Sequence, residues 1–66
     1  MKTDMEMVYV LQYPNGDYYA KPNTATPMLS RARKFRQYAA AHRTMRWEKG
    51  SRIIRVRVDY HVEAEM

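Results

Sequence analysis

Pro14-Asn15-Gly16-Asp17 lies between two runs of β-branched and aromatic residues, Met7-Val8-Tyr9-Val10-Leu11-Gln12-Tyr13 and Tyr18-Tyr19-Ala20. Proline presets φ for the second position of a type I turn, asparagine suits the third, and Gly16 can take the positive φ of a G1 bulge. The segment is therefore predicted to be a β-hairpin with Tyr13 near Asp17 and Leu11 near Tyr19. Both faces of this hairpin are apolar, which leaves its orientation open. Either Val8, Val10, Tyr18 and Ala20 line the core and Tyr9, Leu11, Tyr13 and Tyr19 face outward, or the reverse.

Lys21-Pro22-Asn23-Thr24-Ala25 reads as a loop, since Pro22 has no N–H to give to a ladder and the small polar residues after it have no period. Thr26-Pro27 then resembles an N-cap followed by proline at the first helical position, opening a helical segment to about Trp47. Its apolar stripe changes phase. Met28, Leu29, Ala32 and Phe35 share one side, whereas Tyr38, Ala41 and Met45 share another, displaced by roughly a third of a turn at 100° per residue. This predicts a short turn, a break near Phe35-Arg36, and a main helix carrying Arg36, Ala39, Ala40, Arg43 and Arg46 outward, closed by Gly50 as a C-cap glycine. Trp47 is expected to plug the junction of helix and sheet. From Ile53 to Val62 the chain alternates, with Ile54, Val56, Val58, Tyr60 and Val62 on one face and Arg55, Arg57, Asp59 and His61 on the other. That pattern is a half-buried strand. The fold class expected is α+β in the order β-β-α-β: a three-stranded antiparallel sheet, strand order 2-1-3, with one broken helix on one face and Phe35, Ala41, Met45, Ile54, Val56 and Val58 buried.

Sixty-six residues make a single domain, expected to be ordered from about residue 7 to 62, and a chain this short buries only about 60% of the surface its unfolded form exposes. Its core must be thin. The absence of cysteine removes disulfide staples and thiolate metal sites and suits a reducing interior. The first residues, Met1-Lys2-Thr3-Asp4-Met5-Glu6, are polar where a signal peptide turns apolar, and no apolar run approaches the ~20 residues of a membrane span. A cytoplasmic protein without membrane association is expected.

No nucleophile elbow, P-loop or dinucleotide-binding glycine pattern is present, and both glycines fall at turns. The carboxylates are scattered, so no pair is placed to divide acid and base roles. His42 and His61 have no spacing resembling a metal-ligand set and read as residues of solvated faces. Neither enzymatic activity, nor a catalytic residue, metal or cofactor is expected.

Charge is more informative. Arg31, Arg33, Lys34, Arg36, Arg43, Arg46, Lys49, Arg52, Arg55 and Arg57 stand against the single acid Glu48, a net +9 within one segment of a chain whose total is +5. Arginine forks bind phosphate or carboxylate in bidentate fashion and stack on flat rings. A helix face that is merely solvated usually mixes signs in i,i+4 pairs, and here the acids are missing. Arg33, Arg36, Arg43 and Arg46 are thus candidate nucleic-acid contacts, with Arg55 and Arg57 on the sheet as a second candidate group. If Tyr9, Tyr13 and Tyr19 face outward, they share that sheet face and supply rings on which bases stack.

The pattern Tyr9-Val10-Leu11, Asn15-Gly16-Asp17-Tyr18-Tyr19, Leu29, Ala32-Arg33-Lys34-Phe35, Ala41 and Ile53-Ile54-Arg55-Val56 resembles the small orphan proteins of phages and prophages over about residues 7 to 60. The resemblance implies a non-enzymatic accessory factor that binds host or phage macromolecules, and it carries over no functional residue. Two partner classes follow. One is DNA or RNA held by the arginines. The other is an acidic protein surface, such as that of a host defence nuclease, met by the basic face with the apolar hairpin as anchor. A sheet edge or the two-sided hairpin would also allow a homodimer.

Overall fold

The computed structural model describes residues 3–64. In chain order the elements are β1 (Thr3–Gln12), β2 (Tyr18–Lys21), β3 (Thr24–Thr26), a 3₁₀ turn (Leu29–Arg31), α1 (Tyr38–Met45) and β4 (Arg52–His61). The fold is α+β, with one helix against one antiparallel sheet of order β3-β2-β1-β4.

The hairpin forms as its turn residues require. Tyr13 N–H donates to Asp17 O (2.8 Å), Gly16 N–H to Tyr13 O (2.9 Å), and Gly16 has φ 95°. The Asn15 side-chain oxygen accepts from Asp17 N–H at 3.0 Å and fastens the turn. The sheet has four strands, not three, because the expected loop after Lys21 is a second tight hairpin. Lys21 pairs with Thr24 across Pro22-Asn23, and Asn23 has φ 64°, the left-handed geometry that the third position of a type II turn demands.

Beyond Gln12↔Tyr18 the β1–β2 ladder is interrupted. Tyr9 N–H donates to Phe35 O (2.7 Å) and Phe35 N–H to Tyr9 O (2.8 Å), while Arg33 N–H donates to Tyr19 O (2.9 Å). Residues 33–35 therefore run extended between β1 and β2. The short turn and the break near Phe35-Arg36 form as expected, but the main helix begins at Tyr38 and does not include Arg36. The Thr26 hydroxyl does accept from Met28 N–H (3.1 Å) as an N-cap would, but only the 3₁₀ turn follows. Lys34 closes that turn, its Nζ donating to the carbonyls of Ser30 (2.9 Å) and Ala32 (3.2 Å). The physical reason is long-range: an open ladder position on β1 satisfies the backbone of Phe35 better than an isolated helical turn of marginal stability.

β1 and β4 pair over ten residues without a bulge, from Thr3↔His61 to Gln12↔Arg52. The molecule is accordingly long, 43 × 23 × 17 Å. β1 begins at Thr3, four residues before the hairpin run read from the sequence; Met1, Lys2, Glu65 and Met66, expected to fray, lie outside the described residues. Alternation sorts this ribbon into two faces. Tyr9, Leu11 and Ile53 face α1, where Leu11, Tyr19, Phe35 and Ala41 are buried and Tyr13, Ala40 and Met45 pack against them. Val8 and Val10 point to the opposite face and are also fully buried, with Val56 and Ile54 directly across the ladder. Ile54, Val56 and Val58 are half-buried there, so the helix covers the face opposite to the one expected from the apolar stripe of β4.

The helix ends at Met45 with Arg46 as its C-cap. Gly50, expected as the C-cap glycine, instead occupies the third position of a separate turn in which Ser51 N–H donates to Glu48 O (3.1 Å), and its φ of 82° is what that turn requires. Among the described residues no helix is long and apolar enough to cross a membrane.

Candidate nucleic-acid interface

Because β1 and β4 pair without a bulge, cross-strand partners share a face. Arg55 stands opposite Tyr9 and Arg57 opposite Met7, so both arginines leave the sheet on the side that carries α1. Tyr9 in turn meets Tyr38, the first residue of α1, edge to face at 5.6 Å between ring centres, and Tyr38 stacks on His42 at 6.0 Å. From that end of α1, Tyr38, Ala39, His42, Arg43 and Arg46 line a shallow open groove of about 450 Å³. The helical arginines and the sheet arginines, which the sequence assigns to separate candidate groups, are thus brought to one side of the molecule and linked through Tyr9, Tyr38 and His42. Arg33 joins them, its guanidinium 5.6 Å above the Phe35 ring, a cation–π contact on the same side.

Arg36 does not. It belongs to the extended stretch before α1, where alternation turns it to the opposite side of the sheet. There its Nε lies 3.6 Å from Glu6 Oε2, and Glu6 also accepts from the Tyr60 hydroxyl at 2.6 Å. The expected row Arg36, Arg43, Arg46 is broken for the same reason that the helix starts late. Arg57 keeps to the α1 side and has a surface partner in Asp59 at 3.4 Å, a contact worth about 0–1 kcal/mol. Among the described residues, the guanidinium groups of Arg43, Arg46 and Arg55 have no acidic partner.

Glu48 explains part of this imbalance. As the one acid in the basic segment it could have offset Arg43 or Arg46, but it accepts a 2.7 Å hydrogen bond from the Tyr13 hydroxyl across the fold. Burial and that bond together push the Tyr13 hydroxyl up to about 12 from its ordinary value near 10. Glu48 thus forms no ion pair with Arg43 or Arg46.

The three tyrosines proposed as stacking platforms take the core orientation. Tyr19 is buried and stacked on Phe35 at 6.3 Å, Tyr9 is half-buried under Tyr38, and Tyr13 is held by Glu48. Leu11, Val8 and Val10 of the hairpin are fully buried as well, and Met7 is the large apolar side chain of its first run left exposed. Tyr60 is exposed on the other side of the sheet; on and just after α1 the large rings left outward are Tyr38, 55% exposed, and Trp47, 82% exposed. Neither was marked from sequence, because the apolar period of α1 claimed Tyr38 for the core and size alone claimed Trp47. The one available signal was the position of Trp47 beside Gly50 and three bases, beyond the last apolar position of the helix stripe.

A second concavity of about 330 Å³ lies where the two turns abut, lined by Gln12, Tyr13, Pro14, Gly16, Gly50 and Arg52. Arg52 there donates to the Gln12 side chain at 2.9 Å and is engaged within the fold. Among the described residues no three His, Asp or Glu side chains gather as a metal-binding group. Comparison of the chain with protein-family models, with characterised proteins and with solved structures finds no match.

Proposed function

We propose that this chain is a small non-enzymatic module that binds nucleic acid through arginine–phosphate contacts, in keeping with an accessory factor of phage or mobile-element type. The observation that carries the reading is the gathering of Arg43, Arg46 and Arg55 on one side of the sheet with no acidic partner among the described residues, around the exposed rings of Tyr38 and His42. Unpaired like charge held together costs stability through self-repulsion, and a polyanion relieves it. Arg33 and Arg57 flank this set, while Arg36 is assigned to the opposite face and takes no part.

Anisotropy of labelled mixed-sequence DNA and RNA oligomers tests this. Binding at ~50 mM salt that weakens linearly in log–log form as salt rises is the expected result. Absence of binding to both at that salt, where phosphate contacts are strongest, rejects the nucleic-acid reading in favour of an acidic protein partner. One observation favours that second reading: at the far end of the β1–β4 ribbon Met5 and Met7 are exposed on the α1 side of the sheet, apolar surface beside the basic face for a protein partner to rest on.

A further inference from the structure

Trp47 is the only tryptophan of the chain and, among the described residues, the most exposed large apolar one, at 82%. Indoles are normally well buried, because their large apolar surface is costly to leave in water. Here the ring has no aromatic partner and its N–H no acceptor among the described residues. Its backbone, by contrast, is fixed: Trp47 N–H donates to Thr44 O at 3.0 Å, one turn past the end of α1. On an ordered backbone the ring has only two side-chain torsions to fix when a flat ligand stacks on it, a modest cost in conformational freedom. Its neighbours are cationic. Arg43 lies four residues before it, Arg46 precedes it directly and Lys49 follows two residues later.

Resting on the nucleic-acid reading above, we infer that Trp47 stacks on an unpaired base and that the ligand is single-stranded. In a duplex, base faces are covered by their neighbours and reaching them costs a few kcal/mol per unstacked step. A single strand offers its faces freely while its phosphates remain available to Arg43 and Arg46, which is the pairing of ring and cation that sequence-tolerant single-strand binders use. Tyr38 and His42, in the groove that Arg43 and Arg46 also line, give a second place for a base to rest.

The lone tryptophan makes the test direct. Indole emission is titrated with thymidine and uridine 20-mers and with a mixed-sequence duplex, while anisotropy of the same labelled oligomers reports binding independently. Expected is quenching by the single strands that saturates together with anisotropy. Trp47→Ala should weaken single-strand affinity about 10-fold or more, with Trp47→Phe intermediate and duplex affinity within about twofold of the parent, as stacking contributions of this size imply. Because the side chain is 82% exposed, both variants should melt close to the parent. Single strands that bind with unchanged emission and unchanged Trp47→Ala affinity overturn the stacking role and leave the nucleic-acid reading standing. Equal loss on duplex and single strand overturns the single-strand assignment. No binding by any oligomer in either readout removes the reading on which this inference rests.

Discussion

The two sides of the sheet carry similar apolar residues and opposite electrostatic arrangements. On the α1 side, Leu11, Tyr19, Phe35 and Ala41 are buried and Arg33, Arg43, Arg46, Arg55 and Arg57 surround them, all but Arg57 without an acidic partner among the described residues. On the other side, Val8 and Val10 are buried and Arg36 is drawn to Glu6, which Tyr60 also holds. What separates the arginines is parity. In extended backbone successive side chains alternate, so one residue of register sends Arg36 away from the face to which Phe35 belongs. Arginine content alone therefore says little about which arginines act together.

The largest expected effect tests whether the α1 side is the heart of the fold. Phe35→Ala removes a buried ring that stacks on Tyr19 and whose backbone completes the β1 ladder. It should cost about 3–5 kcal/mol, enough to unfold so small a domain, and chemical denaturation checks it. A variant with unchanged melting would show that the core lies elsewhere. Val10→Ala, on the opposite side, should cost about 2 kcal/mol, since two fewer buried carbons and a small cavity remain. A negligible effect there would mean that only one side of the sheet is a true interior.

Tyr13→Phe probes the link that keeps Glu48 away from the arginines and should cost about 1 kcal/mol near neutral pH. Its pH dependence has a definite sign. The hydroxyl titrates near 12 when folded and near 10 when unfolded, so the stabilisation by neutral Tyr13 is complete below pH 10 and is lost as pH rises toward 12. The stability advantage of the parent over Tyr13→Phe should therefore shrink across that window. An advantage that is constant up to pH 12 contradicts it.

Much of this arrangement can be read from residues whose local chemistry decides their geometry. Pro14, Asn15 and Gly16 dictate the hairpin turn, and the alternation from Ile53 onward dictates β4 and its two faces. The errors come where a distant partner outweighs local preference. Residues 27–37 have helical spacing and a cap-like Thr26-Pro27, and the break near Phe35-Arg36 is legible, but the partner that captures Phe35 is Tyr9, twenty-six positions earlier in the chain, and nothing local names it. The phase change of the apolar stripe was the visible trace of the break. β3 was legible in principle, since Pro22-Asn23 has the residues of a type II turn between two short β-prone runs, but a three-residue strand is too short for periodicity to reveal. The candidate site was half legible: Arg33, Arg43, Arg46, Arg55 and Arg57 were marked, but their convergence depended on which face α1 covers, and that depended on Phe35.

The smallest expected effect on stability belongs to Arg36→Ala, because a surface pair with Glu6 contributes about 0.5 kcal/mol or less. Its value lies in binding, where it serves as the matched control for arginines on the other side. The measurement that bears most directly on the α1 face is the slope of log affinity against log salt for the parent, for Arg36→Ala and for the triple variant Arg43→Ala/Arg46→Ala/Arg55→Ala. If the α1 face holds the phosphates, the triple variant should flatten the slope by roughly 0.7 per arginine on single strands, or 0.9 on duplex, while Arg36→Ala leaves it unchanged. A triple variant that keeps the parental slope, or an Arg36→Ala slope that flattens as much per residue, would contradict the assignment of the interface to that face.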